Sequence, residues 1–300
     1  MINWFHFKGT EITALDGAPP SMPEQGFLWV DSLLNEENLW LDDIQRLAGI
    51  TVDELHLEDL RNHHHPSHFD SGQRYSILII RSLSGSELVD EDNKLKIKTR
   101  PAFFLVADRI LVTMRSPDSR TFESARNFIH QCIQAGGQVK IKRTAVAQLF
   151  KLKRAPSTPE ELQIQIVGGL VDRYLEMRHE ISSQLDNWQR DLLNSRKRFQ
   201  DWNALLSARN ELTRLESVAE DQTDALGDWL DYKDRKNKAD QAVLVKARDT
   251  LEHLERVSNL ARRLGESTEA AVQLHFSATA HKTNEVITML TMLSAVFMPL

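Results

Sequence analysis

The sequence has almost no cysteine, since Cys132 is the only one among its 300 residues. A single thiol excludes an internal disulfide and a zinc site built on cysteines, and it is typical of proteins in a reducing compartment. We therefore expect the chain to lie in the cytoplasm. The N-terminus has no basic stretch followed by an apolar run of about 7 to 15 residues, so we predict no cleaved signal peptide.

The sequence also lacks a block of basic residues. Its net charge is −6, with 37 basic and 43 acidic side chains interleaved along the chain. We therefore expect no nucleic-acid partner. The phosphate-binding spacings GxGxxG and GxxxxGK[ST] are missing, as is the nucleophile motif GxSxG, and no carboxylate pair can be assigned to a cleft. We predict that the protein is not an enzyme.

Proline is absent between Pro159 and Pro299, and the architecture is predicted to change at the first of these. Before that point, aromatic and β-branched runs predict strands at residues 2–7, 27–30, 75–83, 94–99, 102–106 and 110–114, with a hairpin turn at Asp108-Arg109. Amphipathic patterns predict helices at residues 36–48, 52–60, about 118–134 and about 144–153. Asn35 is the predicted N-cap of the first helix, and Thr51 with Glu54 forms a predicted capping box for the second.

After the prolines, apolar residues recur every three or four positions and predict helices only. Residues 162–192 are predicted to form one long helix, residues 205–226 a second that pairs with it, and a third helix of about sixty residues runs to the end. The predicted fold class is α+β. An N-terminal α/β/α mixed-sheet domain covers residues 1–155, a long antiparallel helical hairpin residues 156–238, and a very long C-terminal stalk helix residues 239–300.

The end of the stalk helix is apolar on all sides. Residues 286–300 contain no charge, whereas a helix needs about 20 apolar residues to cross a bilayer. We expect the chain to enter a membrane span here and to stop inside it; an apolar tail that needs a partner is the alternative. Small and polar residues in the middle of the stalk fit either a wet cavity between several copies or packing on the N-terminal domain.

Three groups of polar residues are candidate cation sites. His63, His64, His65 and His68 could bind a metal, but their spacing does not suit one helical face, and a solvated loop is the favoured interpretation. The carboxylates Glu220, Asp221, Asp224, Asp228 and Asp231 form either a solvated face or a surface that concentrates cations near a pore mouth. Glu58 and Asp59 end a helix against its dipole, which a bound cation would explain.

Two separate parts of the sequence resemble the CorA-type magnesium channels. Residues 282–286 (KTNEV), with Leu290-Thr291 and residues 297–300 (FMPL), resemble the start of the first transmembrane helix of that family. Residues 29–31 (WVD) and 57–60 (LEDL), which precede the histidine-rich loop, follow its cytoplasmic pattern. The similarity of order and spacing extends over essentially the whole chain.

The resemblance implies a homopentamer in the cell inner (plasma) membrane, of which this portion is cytoplasmic. The family conducts Mg²⁺, and often Co²⁺ or Ni²⁺, and intracellular Mg²⁺ bound between neighbouring cytoplasmic domains closes the pore. The regulatory carboxylates match Asp59 and Asp249, with Glu58 beside them in a second site. A further acidic residue of the family falls at Gly168 here, one turn before Asp172, which leaves the second site in doubt.

The resemblance also implies that Ile287, Leu290, Ser294 and Met298 line the pore, where apolar rings gate by losing water. The Gly-Met-Asn motif of the family is not found in this sequence, and we expect it beyond Leu300. Three alternatives stay open: a ZntB-type zinc transporter, which the histidines favour; a helical adaptor without a transport role; and a metal hydrolase at the histidine cluster.

Overall fold

A seven-stranded mixed sheet is followed by long helices in the computed structural model, which describes residues 2–84, 94–134, 155–193, 202–236 and 240–297. The chain divides into two units. The first comprises Met1–Ser86, Ile97–Glu176 and Ser217–Ser258, and the second comprises Glu87–Lys96, Met177–Glu216 and Asn259–Leu300. The first unit therefore contains the sheet together with parts of the helices that follow it.

The strands of the sheet lie in the order β2-β1-β3-β7-β6-β5-β4. Their bounds are β1 Asn3–Lys8, β2 Glu11–Leu15, β3 Phe27–Leu33, β4 His68–Ser71, β5 Tyr75–Leu83, β6 Thr99–Ala107 and β7 Ile110–Arg115. Only β3 and β7 pair in parallel, with Val30 opposite Val112, and all other neighbours are antiparallel. This confirms the predicted mixed sheet.

Helices cover both faces of the sheet. The helices of the described residues are a 3₁₀ turn Glu37–Leu39, α1 Leu41–Ala48, α2 Glu54–Arg61, α3 Arg120–Gln134, α4 Pro159–Glu176, α5 Arg178–Leu193, α6 Trp202–Lys236 and α7 Gln241–Phe297. On one face, Ile44 of α1, Leu60 of α2 and Trp40, which precedes α1, pack on the sheet. On the other, α3, α4 and the parts of α6 and α7 in the first unit close a separate apolar core. The α/β/α arrangement is therefore as predicted.

The helices after the sheet confirm the long C-terminal helix, since α7 runs for 57 residues. In the first unit α4 and α6 are antiparallel, because Glu160 accepts a hydrogen bond from Lys233 Nζ at 2.9 Å and Gln163 accepts one from Trp229 Nε1 at 3.2 Å.

In the second unit α5, α6 and α7 contact one another through a mixture of polar and aromatic groups. Gln189 Nε2 on α5 donates to Ser267 Oγ at 3.1 Å, and Arg209 on α6 pairs with Glu269 at 3.0 Å. The ring of Trp202 stacks on Phe276 with centroids 5.5 Å apart.

Several predicted elements were wrong in detail. Strands β2 and β4 were not predicted, because short edge strands with one polar face carry little β-type composition. Residues 94–98 are not a strand, apart from a bridge at Leu95. The single helix predicted over residues 162–192 is interrupted at Met177, where α4 ends and α5 begins. The helix predicted at about residues 144–153 lies outside the described residues.

The two predicted N-caps were also wrong. Asn35 has a positive φ of 67° and lies before a 3₁₀ turn, so α1 begins only at Leu41. The N-cap of α2 is Asp53, whose Oδ1 accepts a hydrogen bond from the backbone N–H of Leu55 at 3.0 Å. Aspartate is as strong a cap as threonine, and the Thr51-x-x-Glu54 pattern predicted the helix start two residues too early. The turn predicted at Asp108-Arg109 is confirmed, with Asp108 at a φ of 47°.

A buried ion pair joins the two parallel strands. Asp31 on β3 is 0% exposed and Arg115 on β7 is 3% exposed. The guanidinium donates from Nε to Oδ1 at 3.0 Å and from Nη2 to Oδ2 at 3.1 Å, while Thr113 Oγ1 donates to Oδ1 at 3.1 Å. Burial raises the pKa of Asp31, although Arg115, Arg126 and Thr113 act in the opposite direction. The pair thus compensates a charge that would otherwise destabilise the core.

We predict that Arg115→Met lowers the free energy of unfolding by about 3–5 kcal/mol, because it leaves a buried carboxylate without its partner. Arg209→Met is the matched control, since its pair with Glu269 is 50% and 47% exposed and such pairs contribute about 0–1 kcal/mol. Urea unfolding of both variants measures the difference. A loss in Arg115→Met no larger than in the control would contradict this account of the pair.

Candidate metal-sensing site

Helix α2 carries the first predicted site residues. Leu57 and Leu60 face the core, which turns Glu58 outward and leaves Asp59 half-buried on the side of the helix. The carboxylate oxygen Oδ1 of Asp59 lies 3.2 Å from Nε2 of His65. Glu58 and Asp59 therefore lie in the last turn of α2, and the imidazole of His65 lies beside Asp59.

The histidine-rich segment after α2 does not form one cluster. His63 Nε2 is 3.1 Å from Asn35 Oδ1, and His64 is exposed. His65 Nδ1 lies 2.8 Å from the carbonyl of Pro66, and its ring centroid is 5.8 Å from that of His68. Within the described ranges of this single chain, no three His, Cys, Asp or Glu side chains are grouped to hold a metal.

A polar network that the sequence analysis missed ties α2 to the sheet. The hydroxyl of Tyr75 on β5 accepts a hydrogen bond from the backbone N–H of Asp53 at 2.9 Å and lies 2.6 Å from Nδ1 of His56. Nε2 of His56 is 3.2 Å from Asp70 Oδ2 on β4. These residues are 14 to 22 positions apart, so no spacing rule predicts the contact.

Burial and polar contacts shift the pKa of the Asp70 carboxyl group in opposite directions. Burial acts to raise its pKa, but hydrogen bonds from the backbone of Ser71 and from His56 outweigh that effect and hold the pKa below its usual value. The ionised form of Asp70 is thus the one that holds His56. Through Tyr75 and His56, the N-terminus of α2 is fixed against two strands.

The second predicted regulatory carboxylate lies on α7. Asp249 Oδ2 is 3.5 Å from Lys246 Nζ, and its Oδ1 is 3.8 Å from Nε2 of His253, one turn along the helix. The other ring nitrogen of His253, Nδ1, lies 2.7 Å from Asp172 Oδ1 on α4. Asp172 thus contacts a histidine that in turn faces Asp249.

Gly168 replaces the further acidic residue that the family resemblance implied. A Cβ at this position would lie 3.4 Å from Thr250 Oγ1 and 3.5 Å from Lys246 Cε. These are ordinary van der Waals distances, and the nearest groups, Thr250 and Lys246, flank Asp249 on α7. The close approach of α4 and α7 is consistent with a glycine here.

The predicted pore-lining residues occupy the end of α7. Ile287, Leu290 and Ser294 follow one another at spacings of three and four, share one face of the helix and are exposed. Met298 lies outside the described residues. No helix in the described parts of the chain combines the length and apolar character needed to cross a membrane.

The acidic stretch on α6 is largely exposed, as a solvated face would be. Glu220, Asp224, Asp228 and Asp231 face solvent, and Asp221 is half-buried. Burial raises the pKa of Asp221, and the neighbouring charges of Asp224 and Glu220 raise it further. The stretch holds no basic side chain that could neutralise it.

A mixed α/β/α sheet domain followed by a helix of 57 residues defines the class of protein as an α+β protein with a long C-terminal helix. The family model described as CorA-like Mg²⁺ transporter protein matches residues 24–300. The chain therefore belongs to the CorA-like Mg²⁺ transporter family. A comparison with curated proteins gives no significant match.

Three solved structures illustrate the shared fold. The complete CorA magnesium transporter from Methanocaldococcus jannaschii is 12% identical, with a TM-score of 0.66 over 99% of this chain and 83% of that chain. The soluble domain of CorA from the same organism is 14% identical, with a TM-score of 0.63 over 92% and 97%. The ZntB cytoplasmic domain from Vibrio parahaemolyticus RIMD 2210633 is 16% identical, with a TM-score of 0.63 over 94% and 98%.

We predict that Asp53→Ala lowers the free energy of unfolding by about 0.5–2 kcal/mol, because the first turn of α2 loses its cap. Thr51→Ala is the control, since Thr51 is exposed and precedes the cap, and its change should stay within about 0.5 kcal/mol. Thermal unfolding of the two variants measures both effects. Equal losses, or a larger loss in Thr51→Ala, would show that the helix start is misassigned.

Proposed function

We propose that this chain is the cytoplasmic portion of a divalent metal ion transporter that carries Mg²⁺, and also Co²⁺ or Ni²⁺, across the inner (plasma) membrane. The observation that carries the proposal is the family match over residues 24–300, which includes both the sheet domain and α7. No enzymatic role is proposed. We propose three functional segments that differ from the two compact units: the sheet domain (1–155), the helical hairpin (156–238) and the stalk helix (239–300).

The proposed regulatory ion is Mg²⁺, shared by Asp59 of one copy and Asp249 of a neighbouring copy in a homopentamer. The side chains are 31% and 48% exposed, respectively, so a hydrated ion can reach both. Mg²⁺ keeps several of its waters, and one or two carboxylates are enough to hold it. Glu58, exposed beside Asp59, supplies a second acidic group, and Asp172 acts on the site through His253.

Repulsion between the carboxylates explains how the ion would gate the pore. Two like charges on different copies separate when no cation lies between them, and a divalent cation bridges them when it is bound. The ion therefore selects the arrangement in which the copies are close and symmetric, which is the closed state. High intracellular Mg²⁺ would thus stop further influx.

The proposed pore begins on the face of α7 that carries Ile287, Leu290 and Ser294, with Met298 expected to continue it. In a pentamer each position would form a ring of five side chains. Rings of isoleucine, leucine and methionine disfavour water and can block a hydrated ion without a charged gate.

A zinc transporter is the second candidate function. It is supported by the fold shared with the ZntB cytoplasmic domain, whose TM-score of 0.63 equals that of the CorA soluble domain. The histidines near Asp59 and Asp249 also favour it, because imidazole is a common zinc ligand. A helical adaptor without a transport role has no comparable support.

We predict that Mg²⁺ at ten times its dissociation constant slows cleavage of the assembled chain by chymotrypsin about tenfold, because the bound ion stabilises the closed assembly. Asp249→Ala should remove the protection, whereas Asp228→Ala, an exposed carboxylate on α6, should keep it. Potassium chloride at matched ionic strength controls for general salt effects. Equal cleavage of the unmutated chain with and without Mg²⁺ would refute the sensing role.

A further inference from the structure

Two histidines stand next to the two proposed regulatory carboxylates, and both are held in the same way. His65 Nδ1 is 2.8 Å from the carbonyl oxygen of Pro66 and its Nε2 is 3.2 Å from Asp59 Oδ1. His253 Nδ1 is 2.7 Å from Asp172 Oδ1 and its Nε2 is 3.8 Å from Asp249 Oδ1. Nε2 of His65 is therefore in contact with a carboxylate oxygen, whereas Nε2 of His253 faces one at a distance longer than a hydrogen bond.

This arrangement conflicts with a neutral imidazole. A carbonyl or an ionised carboxylate can only accept a hydrogen bond, so Nδ1 of each ring must carry the proton. The lone pair of Nε2 then faces a carboxylate oxygen, which is repulsive unless a cation lies between them. Either a second proton or a metal ion at Nε2 resolves the conflict.

His56 shows that the conflict is not general for histidines in this fold. Its Nδ1 faces the hydroxyl of Tyr75, which can donate, and its Nε2 faces Asp70. A neutral ring with the proton on Nε2 satisfies both contacts. His56 therefore has no need of a cation, whereas the contacts of His65 and His253 with described residues include no donor to either nitrogen.

The distances fit a shared metal ion. With zinc bonds of about 2.0–2.1 Å to nitrogen and oxygen and a tetrahedral angle, two ligand atoms of one ion lie about 3.3 Å apart. The separation of His65 Nε2 from Asp59 Oδ1 is 3.2 Å. His253 Nε2 and Asp249 Oδ1 are 3.8 Å apart, so this pair would have to move closer together to share an ion. The contact of Asp172 with Nδ1 of His253 is the outer carboxylate that commonly orients a metal-binding imidazole and makes it more basic.

We propose that the regulatory site is a mixed nitrogen and oxygen site that prefers Zn²⁺, Ni²⁺ or Co²⁺ over Mg²⁺. Asp59 and His65 of one copy and Asp249 and His253 of its neighbour supply four ligands, the number that a tetrahedral zinc site requires. This assignment rests on the proposed function, which pairs Asp59 with Asp249. Each copy supplies only two ligands, in keeping with the lack of a three-residue group among the described residues of one chain.

The ligand chemistry sets the expected preference. Mg²⁺ takes oxygen ligands and retains water, whereas imidazole suits zinc, nickel and cobalt. Two cationic side chains lie near these ligands. Lys246 Nζ is 3.5 Å from Asp249 Oδ2 and leaves Oδ1 to face His253, and Arg81 Nη1 donates to the backbone carbonyl of His65 at 3.1 Å. The negative charges of the two carboxylates would balance the positive charge of one divalent ion, and the two neutral imidazoles would add no charge.

Titration of the assembled 300-residue chain with Co²⁺, followed by its visible absorption, tests the proposal. We expect an absorption band typical of tetrahedral nitrogen and oxygen ligands, which Zn²⁺ displaces and which Mg²⁺ at the same concentration does not. His65→Gln and His253→Gln should each weaken Co²⁺ binding at least tenfold, and Asp172→Asn should weaken it about tenfold through the orientation of His253. His64→Gln, an exposed neighbour of His65, should leave it unchanged.

The outcomes separate this inference from the proposed function. If Mg²⁺ protects the assembly as strongly as Co²⁺ and the His65 and His253 variants bind both ions normally, the inference is overturned and magnesium sensing stands. If Co²⁺ binds but is insensitive to both variants, its site lies elsewhere and the inference again fails. If neither ion binds or protects, the sensing role itself is lost. Circular dichroism of each variant verifies that the fold is retained.

Discussion

Asp31 and Arg115 bind each other inside the only parallel junction of the described sheet, and the arrangement of the first unit depends on this contact. The parallel pair of β3 and β7 brings together two strands that are far apart in the sequence. A bidentate guanidinium with an added hydroxyl from Thr113 satisfies the buried carboxylate. Without that match, the centre of the sheet would contain an uncompensated buried charge.

The sheet in turn determines where the candidate ligands lie. Tyr75 and His56 fix the start of α2 against β4 and β5, so Asp59 emerges at the other end of a short, well-anchored helix. On the opposite face, α4 packs on α7 near Gly168, and Asp172 reaches His253 beside Asp249. The two carboxylates of the proposed sensor therefore lie on helices, which hold ligands more precisely than loops do.

The central strands and the long helices could be predicted from the sequence because their apolar patterns are continuous and strong. The edge strands β2 and β4 could not, since half of their side chains face solvent, and the interruption at Met177 leaves the helical pattern intact. Asp59 was a candidate from its position at a helix end, whereas Asp249 was identified only through the family resemblance. The pairing of Asp172 with His253, 81 residues apart, and the buried pair of Asp31 with Arg115, 84 residues apart, depend on tertiary packing and have no local signal.

The most direct test of the account is a crystal structure of the chain grown with Co²⁺, with anomalous diffraction measured at the cobalt edge. The account predicts one strong anomalous peak at each boundary between neighbouring copies, within bonding distance of Asp59 of one copy and Asp249 of the next. A peak that involves neither carboxylate, or an assembly in which the two residues do not face each other, would contradict it.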